Sequence, residues 1–297
     1  MIDIRLKVFI TVAQHLSFSK ASHILYISQP AVSKHIAELE KEYDVRLFDR
    51  MGNKIQLTYE GKKLLHHAYH INKAYEQLNF EMNLLQKKTA GTVRIGASTT
   101  IAQYVLPEIL ATFLVCYPQI HVNMISSNSH EIETMLKEGV VDLGLVEGIG
   151  RQPELKYTKF MKDELVTIVS SKNKLAEKDE ITIDELKSQP LVMREFGSGS
   201  LDVIEKHLKK RGVSLSELNI IVNFGTTEGI KSFVEKYDAM GILSIRAVNK
   251  EILRGQIKVI DIKNLTMNRF FSIVQRHGMS SGVQSLFIKH IIKSYSI

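Results

Sequence analysis

Apolar positions recur at spacings of three and four over residues 1–90, then in alternating blocks to the end of the chain. Leu6, Phe9, Ile10 and Ala13 predict a first amphipathic helix. Phe18, Ala21, Ile24 and Leu25 predict a second, and Val32, Ile36, Leu39 and Tyr43 a third. The break between the last two falls at Tyr26 to Ser28. There Ser28 can cap the third helix, and Pro30 sits in its first turn, where no intrahelical bond needs the missing N–H. Short helix, tight turn, second helix is the helix-turn-helix arrangement. Val45, Leu47 and Phe48, the turn Met51-Gly52-Asn53, then Ile55 and Leu57 predict a small hairpin, a wing. Thr58 can cap the next helix, along which Leu64, Ala68, Ile71, Tyr75, Leu78, Met82 and Leu85 alternate spacings of four and three. That heptad seam is narrower than the buried stripe of a helix lying on its own domain, so residues 58–88 are expected to form a linker helix that dimerises.

A polar hinge, Lys87-Lys88-Thr89-Ala90-Gly91, closes this part, and the pattern then alternates strand with helix. TVRIGA and IHVNMISS read as strands around a helix from Ile101 to Cys116 that Pro107 restarts or bends. Asn128 or Ser129 caps a helix ending at Gly139, before the strand VDLGLVE. From about Asp163 the alternation repeats: LVTIVSS, a short helix with a capping box at Thr182 and Glu185, PLVMRE, a helix from Leu201 to Gly212, NIIVNF, a helix from Thr227, MGILSI, a helix from Ala247, and QIKVIDI. The strand RFFSIV and the helix carrying Val283, Leu286, Phe287 and Ile291 return to the first lobe. The expected fold class is α/β: a winged helix-turn-helix (1–57), a linker helix (58–88), a hinge (89–91), lobe I (92–162 plus 267–297) and lobe II (163–266). The crossings between lobes are expected near Phe160 to Asp163 and Thr266 to Arg269.

The third helix would show Gln29, Ser33, Lys34 and His35 on its polar face, the kinds of donor and acceptor used on base edges and phosphates. Its start, at Ser28, Gln29 and Pro30, offers free backbone N–H groups to a phosphate. Arg50 and Lys54 flank the wing turn, where a cation grips backbone phosphate rather than reading bases. In the α/β part, ligands collect where strands end and helices begin. Three such turns are rich in hydroxyls and glycine: Ser98-Thr99-Thr100, Gly197-Ser198-Gly199-Ser200 and Gly225-Thr226-Thr227. Each offers N–H and O–H donors suited to an anion. Glu147 and Arg194, at strand ends facing the same region, either select the ligand's charge or pair with each other or with the backbone.

Composition narrows the function classes. The formal net charge of +7 favours a polyanionic or anionic partner, and residues 1–90 carry +4 of it, 13 Lys and Arg against 9 Asp and Glu. The single cysteine, Cys116, excludes an intrachain disulfide framework; beside Phe113 and Leu114 it is expected in an inert core. With no apolar run of membrane-spanning length and no signal-peptide pattern, the expectation is a cytoplasmic protein with no membrane partner. His66 and His70 share a helix face but lack further ligands nearby, so no metal site is expected. No GxSxG elbow, Walker A run, HExxH or dinucleotide GxGxxG occurs, so no catalytic residue is assigned and no cofactor is expected.

The run AxxxxxxSQPAVSKHIxxLE from Ala21, continuing into LFDR and LTYEG, closely resembles the DNA-binding domain of LysR-type transcriptional regulators, and the resemblance covers the whole chain. Ser22 departs from a common Ala, and Tyr43-Asp44 from a frequent Leu-Gly. The resemblance implies a winged helix-turn-helix on double-stranded DNA. It also implies a homodimer or homotetramer on an interrupted palindrome, contact with RNA polymerase, and a two-lobed domain resembling periplasmic solute-binding proteins. ASTTIAQYVLP, GLVEG and REFGSGS look like the branch that includes sulfur-assimilation and carbon-fixation regulators, whose effectors are small metabolites, several of them anionic. An effector-binding role passes by that resemblance to Ser98, Thr100, Ser198 and Thr226, while Tyr237-Asp238-Ala239 departs from a glycine-rich run and could narrow the cleft. The alternatives are a DNA-binding protein without effector control and, more remotely, an enzyme using the hydroxyl-rich cleft.

Overall fold

A computed structural model of the chain describes residues 3–51, 54–85, 89–148, 152–277 and 282–295. Two compact units divide it, Met1–Thr89 and Ala90–Ile297.

The first unit holds α1 (Ile4–His15), α2 (Phe18–Leu25), α3 (Gln29–Tyr43), the hairpin β1 (Phe48–Met51) and β2 (Lys54–Leu57), and α4 (Tyr59–Leu85). Its core gathers Val8, Phe9, Val12, Ala21, Val32, Ile36, Leu39, Leu47 and Phe48 with Ala68 and Tyr69 of α4, all buried. Both departures from the family pattern fit locally. The buried Ser22 hydroxyl donates to the Ser19 carbonyl at 2.8 Å, and Asp44 takes the left-handed cap of α3 (φ 51°), a conformation that Asp tolerates better than most residues. The Thr58 hydroxyl accepts from the Gly61 N–H at 2.9 Å, as expected of a cap, and donates to the Arg46 carbonyl. Along α4 the heptad positions split. Ala68 is buried in this unit, whereas Ile71, Leu78, Met82 and Leu85 stay 49–78 % exposed, an uncovered apolar edge of the kind a partner helix covers. Gly52 and Asn53 of the wing turn and Lys87 and Lys88 of the hinge lie outside the described residues.

The second unit is built on one mixed, ten-stranded sheet with apolar clusters packed between it and its helices. The elements run β3 (Gly91–Ser98), α5 (Thr99–Tyr104), α6 (Leu106–Cys116), β4 (Ile120–Ser127), α7 (Ser129–Lys137), β5 (Leu143–Glu147), β6 (Leu155–Ser170), β7 (Glu180–Ile181), α8 (Ile183–Ser188), β8 (Leu191–Arg194) and α9 (Gly199–Lys209). Then come β9 (Ile220–Phe224), α10 (Thr227–Val234), β10 (Met240–Ser244), α11 (Ile245–Leu253), β11 (Ile257–Ile262), β12 (Met267–Arg276) and α12 (Gly282–Ser294). The strand order is β4-β3-β5-β12-β6-β10-β8-β9, with β11 also on β6 and β7 on β11. Parallel pairs (β3 with β4 and β5, β8 with β9 and β10) build the two lobes, and antiparallel β6 and β12 run from one to the other.

Of the two outcomes expected at Pro107, a restart or a bend, the restart is the one found: α5 ends before Val105 and α6 begins at Leu106, because Pro107 has no N–H to offer the preceding turn and starts a helix of its own. Two details differ from the sequence expectation. Cys116 is exposed, not core: α6 buries only Leu106, Ile109 and Phe113, leaving Leu114, Val115 and Cys116 uncovered. The strand expected from about Asp163 starts at Leu155. Its first half pairs with β12 from Leu155↔Arg276 to Leu165↔Met267, with a register irregularity at Phe271/Ser272. Residues 160–163 and 267–269 thus lie inside paired strands.

On α7 the buried Glu133 accepts from the Tyr157 hydroxyl at 2.8 Å. Burial raises its carboxyl above the ordinary value near 4.5, and the Tyr157 hydrogen bond only partly opposes that. A carboxyl raised in the folded state binds its proton more tightly there than in the unfolded chain. Its contribution is therefore full below pH 4.5 and lost as pH climbs through the raised value. Glu133→Gln, which keeps an acceptor for Tyr157, is expected to flatten the fall in unfolding midpoint across that window. Thermal melts of both proteins at stepped pH values check it.

Candidate functional site

Two places bring the singled-out residues together, one in each unit. In the first, α3 is fixed from behind and bare in front. Val32, Ile36 and Leu39 are buried, while Ser28, Gln29, Pro30 and Lys34 are exposed and Ser33 and His35 partly so. The Ser28 hydroxyl accepts from the Ala31 N–H at 3.3 Å, which leaves the other N–H groups of the first turn for an outside acceptor. On the polar face Gln29 donates to the Ser33 hydroxyl at 3.1 Å, and the Lys34 ammonium and His35 ring reach only as far as Glu38, at 4.0 and 3.4 Å. These are weak exposed tethers that a base edge or phosphate can replace. Arg50 and Lys54 sit on the hairpin strands, paired through Arg50↔Ile55 and Met51↔Lys54, but their side chains lie outside the described residues.

In the second unit, the ends of β3, β5, β8 and β9 carry the other candidates. Ser98, Thr99, Thr100, Glu147, Arg194 and Ser198 are all buried, between 1 and 8 % exposed, as are Ser129, Ser200, Thr227 and Arg269. Thr226 differs: it is exposed, and its hydroxyl accepts from the Gly229 N–H at 3.1 Å as a plain helix cap. Ser198 also caps, accepting from the Ser200 N–H at 3.2 Å. Ser98, at the start of α5, makes no such bond.

Glu147 is the hub between the lobes. Its Oε1 accepts from the Thr100 hydroxyl at 2.9 Å and from the Ser200 hydroxyl at 3.2 Å. Its backbone carbonyl accepts from the Ser129 hydroxyl at 2.7 Å, and Oε2 stands 3.5 Å from Nη2 of Arg269. Arg269 in turn donates from Nη1 to Ser200 at 2.8 Å and pairs through Nε with Asp163 at 2.7 Å, while Ser244 donates to the other Asp163 oxygen at 2.7 Å. The alternative in which Glu147 pairs with Arg194 is not the one realised. Arg194 pairs side-on with its neighbour Glu195 at 2.8 and 2.9 Å and donates to the Gly225 carbonyl at 3.3 Å. Gly199 allows the close approach, since a Cβ there would stand 1.7 Å from the Glu147 carbonyl oxygen. A second tie joins the lobes where the Tyr104 hydroxyl of α5 donates to Glu228 on α10, with the Lys231 ammonium 5.3 Å from the Tyr104 ring centre. Burial and the Glu228 carboxylate both push the Tyr104 phenol upward, so it stays a donor.

Among the described residues, several buried polar atoms find no hydrogen-bond partner: Ser98 Oγ, Thr99 Oγ1, Thr227 Oγ1, Arg194 Nη1, Arg269 Nη2 and Glu147 Oε2. Buried groups of this kind are almost always satisfied, and most of these sit where strands end and helices begin, the usual place of a ligand on an α/β sheet. The sequence pattern does not tell that Thr227, not Thr226, is the buried threonine of its pair, and Arg269 and Asp163 are absent from the residues it singles out. A signal was present for the last two. Each is a charge at a period-two position on a buried, apolar strand face, Arg269 between Met267 and Phe271, Asp163 between Met161 and Leu165.

Comparison with known proteins adds to this geometry. Residues 86–295 match the family described as LysR substrate binding domain, and residues 4–62 that described as bacterial regulatory helix-turn-helix protein, lysR family. The HTH-type transcriptional regulator CysL of Bacillus subtilis is 31% identical over 291 residues, 98% of this chain and 96% of that protein. Among solved structures, a full-length OxyR variant from Pseudomonas aeruginosa superposes with a TM-score of 0.74 at 20% identity, over 99% of this chain and 97% of that one. The CcmR regulatory domain from Synechocystis, solved with 2-PG, gives 0.63 at 24% identity, over 69% of this chain and 97% of that domain.

Proposed function

The chain belongs to the LysR family of bacterial transcriptional regulators, and from that premise we propose that a small metabolite with an anionic group, bound between the two lobes, controls how it acts at a promoter. The observation that carries the reading is the set of buried, unpartnered donors at the cleft: Ser98 Oγ, Thr99 Oγ1, Thr227 Oγ1 and Arg194 Nη1. Each leaves desolvation uncompensated by about 1–3 kcal/mol, and an anion that accepts from several at once recovers it. A likeness in kind supports this, since the CcmR domain of the same fold was solved with 2-PG. Ser98, Thr99 and Arg194 are proposed to hold the anion, with Thr227 in the role first given to Thr226. Thr100 and Ser198 shape the site through Glu147 and through the start of α9.

DNA is read by α3. The proposed contacts are Gln29, Ser33, Lys34 and His35 on its face, Ser28 and Pro30 at its start, and Arg50 and Lys54 from the wing. The exposed seam of α4 supports a homodimer that places two such helices on an interrupted palindrome. In the second unit the outer strand β4 leaves Met124 and Ile125 uncovered, and α6 leaves Leu114 and Val115, which supports further self-association towards a tetramer. Ligand shifts the assembly only by its difference in affinity for two states, typically ~1–3 kcal/mol, enough to change a promoter's output to RNA polymerase.

Two measurements test this. Gln29→Ala is expected to lose about 1–3 kcal/mol on the specific operator while changing binding to random DNA little. Equal loss on both would remove Gln29 from base reading. For the cleft, thermal-shift screening of the full chain against small anions is expected to yield a stabilising ligand whose effect disappears in Arg194→Ala. A ligand protecting both proteins equally would place its site elsewhere.

A further inference from the structure

Beside the unmet donors at these strand ends, the described residues hold an unmet acceptor, at the end of β5. An ionised carboxylate can only accept hydrogen bonds. Glu147 Oε1 accepts two, from Thr100 and Ser200, while the equally buried Oε2 accepts none and has Arg269 Nη2 at 3.5 Å. The local charge is also lopsided. Two buried carboxylates, Glu147 and Asp163, share one buried guanidinium, Arg269, and the further cation Arg246 stands 3.8 Å from Asp163 with its side chain 43 % exposed. Arg194, the buried cation at the end of β8, is already matched by Glu195.

A ligand made only of acceptors would satisfy Ser98, Thr99, Thr227 and Arg194 but bring an uncompensated negative charge towards Glu147. A ligand with an acceptor at one end and a donor at the other satisfies both sets. We infer that the cleft selects an anion carrying its own hydrogen-bond donor, a protonated oxyanion or an acid with a hydroxyl or ammonium group, over a fully deprotonated oxyanion such as sulfate. Glu147 acts as the filter. It receives the ligand's proton donor and repels a ligand that has none, so specificity comes from a built-in penalty as much as from attraction. This rests on the cleft being the effector site; the experiment separates the two ideas.

The test is calorimetric titration of the full chain at neutral pH with matched pairs that differ in the donor: phosphate against sulfate, sulfite against sulfate, lactate against propionate, alanine against propionate. In the wild type at least one donor-bearing member is expected to bind more tightly than its match, by about tenfold or more. Glu147→Gln, which removes the charge and supplies an N–H, is expected to collapse that ratio by raising affinity for the donor-free member. Wild-type protein binding both members of every pair alike overturns the inference, and so does a preference that survives in Glu147→Gln. If the anions bind but Arg194→Ala leaves binding unchanged, the cleft reading fails with it. If Arg194→Ala abolishes binding while no pair is discriminated, the cleft reading stands and only the filter falls. No binding by any member overturns the filter.

Discussion

Replacing Arg269 by methionine is expected to destabilise the second unit by about 3–5 kcal/mol, the usual cost of removing one partner from a buried ionic network. The side chains of Arg269, Asp163 and Glu147 are at most 2 % exposed, so water cannot take the guanidinium's place. Asp163 would keep its bond from Ser244, and Glu147 those from Thr100 and Ser200, but both would lose the buried countercharge they share. Denaturant unfolding followed by far-UV circular dichroism checks the size of the effect. Asp163→Asn in the Arg269→Met background is expected to recover part of it, because the double variant removes one stranded charge along with its partner. A loss below about 1 kcal/mol for Arg269→Met would show that the network carries little of the unit's stability.

Whether a feature is legible in the sequence follows the distance along the chain over which its cause acts. The Ser28 cap, the Thr58 cap and the capping box of Thr182 with Glu185 are decided within a few residues, and each forms as the pattern indicates. The polar face of α3 is legible for the same reason, since a 3.6-residue period alone sorts the buried Val32, Ile36 and Leu39 from Gln29, Ser33 and Lys34. Strand β6 was legible only in its second half. Residues 166–169 are all buried and read as a β-branched run, whereas over residues 155–163 lysines at 156, 159 and 162 break the pattern around Phe160 and Met161, which are buried in succession near the irregular register with β12. The Glu147–Arg269–Asp163 network spans more than a hundred residues of chain, and only the assembled sheet selects Arg269 over Arg194 as the partner of Glu147. Cys116 shows the reverse error: a largely apolar helix buries only the stripe that its neighbours cover, here Leu106, Ile109 and Phe113, and Cys116 falls off that stripe.

Gly199→Ala is expected to produce the second large effect, and it separates interlobe contact from folding of the individual lobes. A Cβ at Gly199 would stand 1.7 Å from the Glu147 carbonyl oxygen, 2.4 Å from its carbon and 2.8 Å from Ser129 Oγ. Two of these are backbone atoms of a buried strand, so relief requires the start of α9 to back away from the end of β5. That movement breaks the bond from Ser200 to Glu147 Oε1 and the bond from the His130 N–H to the Gly197 carbonyl, both of which bridge the same seam. Overpacking of this sort costs about 1–3 kcal/mol, and the lost hydrogen bonds add to it. The cores on either side do not include Gly199, so secondary structure should persist while ligand-induced stabilisation is lost. Gly148 lies against the same contact, with its own would-be Cβ 3.0 Å from the Gly199 Cα, so Gly199→Ser should be worse than Gly199→Ala rather than a rescue. Circular dichroism together with a ligand-dependent melting curve checks this. An unaltered ligand shift in Gly199→Ala would show that the close approach of α9 to β5 is not part of the effector response, and would move attention to the Tyr104–Glu228 tie on the other side of the cleft.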